Sequence, residues 1–140
     1  MAETTQKQAR PDIDILSDLP DVIETYPPLA HDRSRMTITV EGGVITATGN
    51  VKTAGTRDIF ERRAAEIDGV QGVNVRGLHD DDTIRLAAGA ATPYGVRVAV
   101  SYGAVVLTGE RPTDAKLAQM TKKVEKIAGV RKVIPNFREN

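Results

Sequence analysis

The chain of 140 residues is 40% hydrophobic and 27% charged, which is typical of a globular protein with an apolar core. It contains no cysteine, so disulfides, thiolate metal sites and thiol nucleophiles are excluded. The net charge is zero, but residues 1–82 carry nine Lys/Arg against fifteen Asp/Glu, whereas residues 83–140 carry ten against four. This asymmetry predicts either a basic surface for an anionic partner or two halves that attract each other.

The first eleven residues, MAETTQKQARP, have no apolar run of the kind that a secretory leader requires, and no stretch is apolar enough to span a bilayer. We expect residues 1–13 to form a flexible N-terminal tail. The expected location is the cytoplasm for the chain as written, or the periplasm if a leader has been removed.

The first predicted elements are a short helix and a hairpin. Residues 18–26 favour a helix, although Pro20 and the prolines at 27–28 interrupt it. Residues 36–40 then alternate apolar and polar side chains, which is the period of a half-buried strand. A turn at residues 41–43 closes a hairpin whose returning strand, GVITATG, places Ile45 and Ala47 on the core face.

A longer helix and a third strand follow. Thr53 is a candidate N-cap, and Phe60, Ala64 and Ile67 form one helical stripe. We expect this helix to end at Gly69, with a strand over residues 70–75. A polar link, residues 77–82, comes next.

The acidic run after His79 has two interpretations. The carboxylates of Asp80, Asp81 and Asp82, together with His79, could form a site for a hard cation, with the oxygen ligands that such a cation prefers. The favoured interpretation is a linker that runs into a helix N-terminus, where negative charge is stabilising. That helix has an apolar face of Ile84 and three alanines before Pro93 stops it.

From there the pattern repeats sixty residues later. GVITATG reappears as GAVVLTG, and the gapless alignment of residues 36–76 with 96–136 contains nine identities in 41 positions, against about two or three by chance. The second helix carries the stripe Leu117, Met120, Val124 and Ile127, and a strand over residues 130–134 ends near Pro135. The predicted fold class is α+β, with two tandem α-β-β-α-β units, each a small mixed three-stranded sheet packed by two helices. We place the first unit at residues 14–78 and the second at 79–140.

Six glycines recur at matching turns and helix ends, where backbone geometry favours glycine. We interpret them as structural residues that contact no ligand. They are Gly43, Gly49, Gly69, Gly103, Gly109 and Gly129.

The candidate binding residues are cations on the second unit's main helix and at its exit. Such a cluster could attach the protein to an anionic bilayer, and the alternative is a merely solvated helix face. The candidates for lipid or anion binding are Lys116, Lys122, Lys123, Lys126, Arg131 and Lys132.

Catalysis is not expected. The chain has two histidines and three serines, and none forms the spaced set that a nucleophilic triad needs. No phosphate loop occurs, and we expect neither a metal nor a cofactor. The G-x-x-G at residues 69–72 joins a helix to a strand in an acidic region, so nucleic-acid binding is not expected.

The pattern V-x-V-x-x-x-G-x-V-x-L-x-G, followed by a helix and G-V-x-x-V, resembles the BON domain. The second copy carries it from Val98 to Val133 and the first from Ile38 to Val73. The resemblance implies a small α+β fold, often in tandem, that attaches to phospholipid surfaces under osmotic or envelope stress. Some relatives bind potassium ions instead.

The favoured hypothesis is therefore a non-enzymatic protein that binds an anionic surface, phospholipid above all, through its basic second copy. The alternative is a cytosolic potassium sensor or a scaffold for a protein partner. Attachment to a charged surface should weaken as salt rises, whereas an ion site should respond to the identity of the ion. The sequence predicts no particular oligomeric state.

Overall fold

The structure is a computed structural model that describes residues 8–138. It consists of two compact units. Within the described residues, the first comprises residues 8–49 and Gly55–Leu78, and the second comprises Asn50–Ala54 and residues 79–138. Each unit has its own three-stranded sheet. The predicted α+β class with two tandem units is confirmed.

The elements of the first repeat, which includes residues 50–54, run from helix to sheet to helix and back to the sheet. In chain order they are α1 (Asp12–Glu24), α2 (Pro27–Asp32), a 3-10 helix (Arg33–Arg35), β1 (Met36–Glu41), β2 (Val44–Val51), α3 (Ala54–Ala65) and β3 (Gly72–Asp80). The strand order is β1-β2-β3, with β1 and β2 antiparallel.

The second unit repeats this order without the extra short helices. Its elements are α4 (Asp81–Ala90), β4 (Val96–Ser101), β5 (Ala104–Gly109), α5 (Asp114–Glu125) and β6 (Lys132–Pro135). The central strand β5 pairs antiparallel with β4 and parallel with β6.

Both hairpins close through two-residue turns, one residue shorter than predicted. Gly42 and Gly43 have φ values of 60° and 79°, and Tyr102 and Gly103 have 47° and 81°. Two successive positive φ values define the type I′ turn, whose twist matches that of the flanking strands. Glu41 and its counterpart in the second hairpin therefore belong to the strands.

The predicted core faces are confirmed. Ile45 and Ala47 in the first unit, and Val105 and Leu107 in the second, are fully buried. The helical stripes face the same cores, since they supply the following buried or partly buried residues: Phe60, Ala64, Ile67, Leu117, Met120, Val124 and Ile127. The spacing of apolar residues, every second residue in the strands and every third or fourth in the helices, thus predicted the residues of both cores.

The main helices end earlier than predicted. α3 stops at Ala65 and α5 at Glu125, so Gly69 and Gly129 are not their C-terminal caps. Instead, the Val70 N–H donates to the Ile67 carbonyl at 3.2 Å across a turn in which Gly69 has φ 88°. A positive φ at the third turn position is the type II arrangement, which needs glycine.

The predicted first helix and last strands also have different bounds. α1 spans Asp12–Glu24 and continues through Pro20, because Ile15, Leu19 and Ile23 bury one face of it. It begins inside the segment predicted as a tail, of which residues 1–7 lie outside the described part. β3 runs on to Asp80, so the predicted link at residues 77–82 is strand and helix. β6 begins at Lys132, two residues later than predicted.

In both units, an aspartate at the start of a helix holds the hairpin turn. Asp12 accepts hydrogen bonds from the N–H groups of Gly42 and Gly43 at 3.0 and 2.9 Å. Asp81 accepts from Tyr102 and Gly103 at 2.7 and 3.0 Å. The two contacts identify α1 and α4 as corresponding elements and fix the helix against the sheet.

Candidate anion-binding site

The predicted cations of α5 lie on one exposed face of the helix. At 100° per residue they fall within an arc of about 120°, on a different side from the buried Met120 and Val124. The acidic residues of α5, Asp114 and Glu125, fall outside that arc. We call this surface the lysine face; it consists of Lys116, Lys122, Lys123 and Lys126, all exposed.

The helix ends explain part of this pattern. Thr113 caps α5 by accepting from the Lys116 N–H at 3.4 Å. Lys122 and Lys123 lie in the last turn and Lys126 is the C-cap, where cations interact favourably with the helix dipole. Helix stability therefore accounts for some of these lysines without any ligand.

Arg131 and Lys132, at the exit of α5, have separate roles. The Arg131 N–H donates to the Gly103 carbonyl at 2.7 Å, and its guanidinium reaches the Tyr102 carbonyl at 3.5 Å. Lys132 opens the edge strand β6 opposite Ala104. Both side chains are exposed, but Arg131 also secures the hairpin turn.

A second basic surface was not predicted from the sequence. An open groove of about 1860 Å³ lies entirely within the second unit, and its lining includes four exposed arginines and one exposed glutamate. We call it the arginine groove; the charged residues that line it are Arg85, Arg97, Glu110, Arg111 and Arg138.

Two glycines that line the groove, Gly95 and Gly109, allow a close contact between backbone segments. The Glu110 N–H donates to the Gly95 carbonyl at 3.0 Å. Gly95 and Gly109 have φ values of 94° and 97°, and a Cβ on Gly109 would overlap the Gly95 carbonyl oxygen. The missing side chains let the two segments approach each other.

The four guanidinium groups differ in their partners. Arg111 forms an ion pair with Asp114 at 2.7 Å, and Arg85 lies 3.9 Å from Asp82. For Arg97 and Arg138, no carboxylate of residues 8–138 lies within ion-pair distance. Arg97 is directly opposite Thr108 in the β4–β5 register, and both residues line the groove.

Sequence reasoning missed the groove because its arginines are scattered. They lie on α4, on β4, before α5 and after β6, at irregular spacings and with no motif. Only the strand pairing and the return of the chain after β6 bring them to one end of the unit. Sequence proximity, by contrast, made the lysines of α5 conspicuous.

The acidic run at the start of α4 serves the fold. Asp80 caps the helix by accepting from the Thr83 N–H at 2.8 Å and the Thr83 hydroxyl at 2.9 Å. Asp81 holds the hairpin turn, and Asp82 faces Arg85. Within the described residues, no group of three or more acidic or histidine side chains has a geometry suited to a metal ion.

Comparison with known families identifies both units. The model of the BON domain matches residues 14–79 and again 80–139. The chain belongs to the BON domain family. The predicted resemblance to a tandem BON protein is thus confirmed, and BON domains are associated with phospholipid-binding and stress proteins.

Two solved structures share the tandem BON fold of this chain. One is the C-terminal domain of CdsD, the structural protein of the type III secretion system of Chlamydia trachomatis, with a TM-score of 0.73 and 15% identity over 91% of this chain and 66% of that one. The second, from structural studies of CdsD, has a TM-score of 0.72 and 15% identity over 91% and 63%. The chain thus spans slightly less than two thirds of both. No curated protein sequence matches it.

None of the described helices combines the length and the apolar character that crossing a bilayer requires.

Proposed function

We propose that this tandem BON protein is a non-enzymatic binding protein that attaches to anionic phospholipid surfaces through its second domain, in a context of osmotic or envelope stress. The lysine face carries the proposal. It presents four exposed lysines on one side of α5 and its C-cap, with the acidic residues of α5 elsewhere on the helix circumference. Arg131 and Lys132, which follow α5 in the chain, are two further exposed cations of the second domain.

The energetics favour reversible attachment. A lysine close to an anionic leaflet contributes about 1 kcal/mol, so four together suffice for attachment without insertion into the bilayer. Long aliphatic stems let the ammonium groups reach headgroups from a curved surface. Because the attraction is screened within about 8 Å at physiological ionic strength, attachment should depend strongly on salt.

Co-sedimentation with vesicles tests the proposal. Wild-type protein should sediment with vesicles rich in phosphatidylglycerol at low salt, less at physiological salt, and not with neutral phosphatidylcholine. The Lys122/Lys123/Lys126→Glu variant should remain in the supernatant. Equal sedimentation of the variant and the wild type would remove the lysine face from the proposal.

A protein partner is the second candidate, and one observation in the first unit favours it. A pocket of about 360 Å³ between α1, α2 and β1 is lined mainly by apolar side chains, among them Leu16, Ile23 and Ile38. Leu16, which lines this pocket, is 40% exposed. If vesicle binding fails, capture of a protein partner that Leu16→Ser abolishes would support the scaffold. A response to potassium but not to sodium would support the ion sensor.

A further inference from the structure

The arginines of the groove are not required by the BON fold, as the first BON domain, residues 14–79, demonstrates. Sixty residues before Arg97, Arg111 and Arg138 the chain has a threonine, a valine and a leucine. Val51 and Leu78, at two of these positions, are fully buried.

Arg85 also has an uncharged counterpart in the first domain. Asp12 and Asp81 occupy equivalent positions, and Leu16 and Arg85 each follow four residues later. The same architecture is therefore built with no cation at any of the four positions, and the cationic groove is a property of the second unit alone.

We propose that the arginine groove binds a small anion that carries two or more phosphate groups. Four guanidinium groups and the single carboxylate of Glu110 leave an excess of three positive charges on the lining. Guanidinium is the side chain best matched to phosphate, because its planar fork donates two parallel hydrogen bonds to two phosphate oxygens. Arg97 and Arg138 are the strongest donors for this purpose, since neither is committed to a carboxylate within the described residues.

The number of guanidinium groups on the lining favours more than one phosphate group. A single phosphate can be held by one or two guanidinium groups, whereas four, from separate parts of the chain, line this groove. Neutral donors lie among them, including the Thr108 hydroxyl and the Asn136 amide. Tyr94 lines the same groove and is fully exposed, so its ring is available to contact the organic group that carries the phosphates.

The groove and the lysine face can be separated by mutation. None of the four lysines lines the groove, and Arg131 and Lys132 do not line it either. Each surface can therefore lose two positive charges while the other stays intact, which provides a control for nonspecific attraction. Failure of phosphate binding at the groove would leave the attachment of the lysine face untouched, and the converse also holds.

Isothermal titration calorimetry with tripolyphosphate tests the proposal in the full chain at physiological salt. Saturable binding is expected, stronger than that of orthophosphate and of citrate, whose carboxylates also carry several negative charges. Arg97→Gln with Arg138→Gln should weaken binding at least tenfold, and Lys122→Gln with Lys123→Gln should change it less than twofold. Arg97→Lys with Arg138→Lys, which keeps the charge but not the fork, should give an intermediate loss.

Three results would overturn the proposal: no saturable binding of tripolyphosphate, equal affinity for citrate, or equal losses in the arginine and lysine variants. A circular dichroism melt of each variant excludes loss of folding as the cause. Vesicles that contain cardiolipin, whose headgroup carries two phosphate groups, identify the source of the phosphates. Release of bound protein by tripolyphosphate, absent in the Arg97/Arg138 variant, would assign the groove to a lipid headgroup, whereas saturable binding without release would assign it to a soluble ligand.

Discussion

The carboxylate of Asp81 accepts a hydrogen bond from the backbone N–H of Gly103 at 3.0 Å, across 22 positions of the chain. Its counterpart in the first domain, Asp12 with Gly43, makes the same contact at 2.9 Å across 31 positions. The first domain thus has nine more residues between helix and hairpin (31 − 22), which accommodate α2 and the 3-10 helix. The contact survives this insertion because it fixes where the helix meets the sheet.

Replacing Asp81 with alanine should therefore destabilise the second domain. The N–H groups of Tyr102 and Gly103 would lose their acceptor in a largely buried place, at a cost of about 1–3 kcal/mol. Urea unfolding followed by circular dichroism measures the loss. Asp82→Ala, one residue later and half-exposed, is the matched control, and similar midpoints for the two variants would refute a specific role for Asp81.

A pair of glycine substitutions should have opposite effects. Gly109→Ala forces a side chain onto a residue with φ 97° and against the Gly95 carbonyl, so we expect a loss of about 2 kcal/mol or more. Gly89 lies within α4, and a Cβ added there has no neighbouring atom within 4 Å. Because alanine favours helix more than glycine does, Gly89→Ala should raise the free energy of unfolding by about 0.5–1 kcal/mol. Thermal melts of both variants test this; a stable Gly109→Ala protein would mean that the close approach at the groove is dispensable.

The two capping residues of the second domain should differ in importance. Asp80 accepts two hydrogen bonds below 3.0 Å in a buried position, whereas Thr113 accepts one at 3.4 Å at an exposed helix end. Asp80→Ala should cost about 2 kcal/mol and Thr113→Ala about 0.5 kcal/mol. Chemical denaturation measures the free energy of unfolding of both variants. A larger loss for Thr113→Ala than for Asp80→Ala would contradict the prediction.

Removal of Phe60 tests the core of the first domain. Its ring is fully buried among the residues that the sequence placed on the inner face of α3. Phe60→Ala should lower the free energy of unfolding by about 3–5 kcal/mol, because it leaves a cavity. Phe60→Leu should cost much less, and equal effects of the two would indicate that the core collapses around the site.

The elements that could be predicted from the sequence are those with a clear period. Ile45 and Ala47 alternate along a strand, and Met120 and Val124 follow a helical stripe, so their burial could be read directly. The predicted bounds of α1 and β3 were wrong because tertiary packing overrides local sequence signals. α1 continues through Pro20, since its apolar face is buried. β3 extends to Asp80 through polar residues that resemble a linker.

The candidate sites differed in the same way. The lysine face lies on one helix, so sequence spacing located it. The arginine groove combines Arg85 with Arg138 and needs the pairing of β4, β5 and β6 before its members meet. The roles of Asp12 and Asp81 could not be predicted either. Nothing in the acidic sequence around them indicates that each carboxylate accepts hydrogen bonds from a hairpin turn.

A matched pair of variants in the vesicle assay most directly tests attachment through the second domain. Lys122 and Lys123 on α5 correspond to Arg62 and Arg63 on α3, sixty residues earlier and likewise in the last turn. Lys122→Gln with Lys123→Gln should weaken binding to phosphatidylglycerol vesicles at low salt by about tenfold or more, whereas Arg62→Gln with Arg63→Gln should leave it within about twofold. Equal losses in the two variants, or no binding by the wild type, would contradict attachment through the second BON domain.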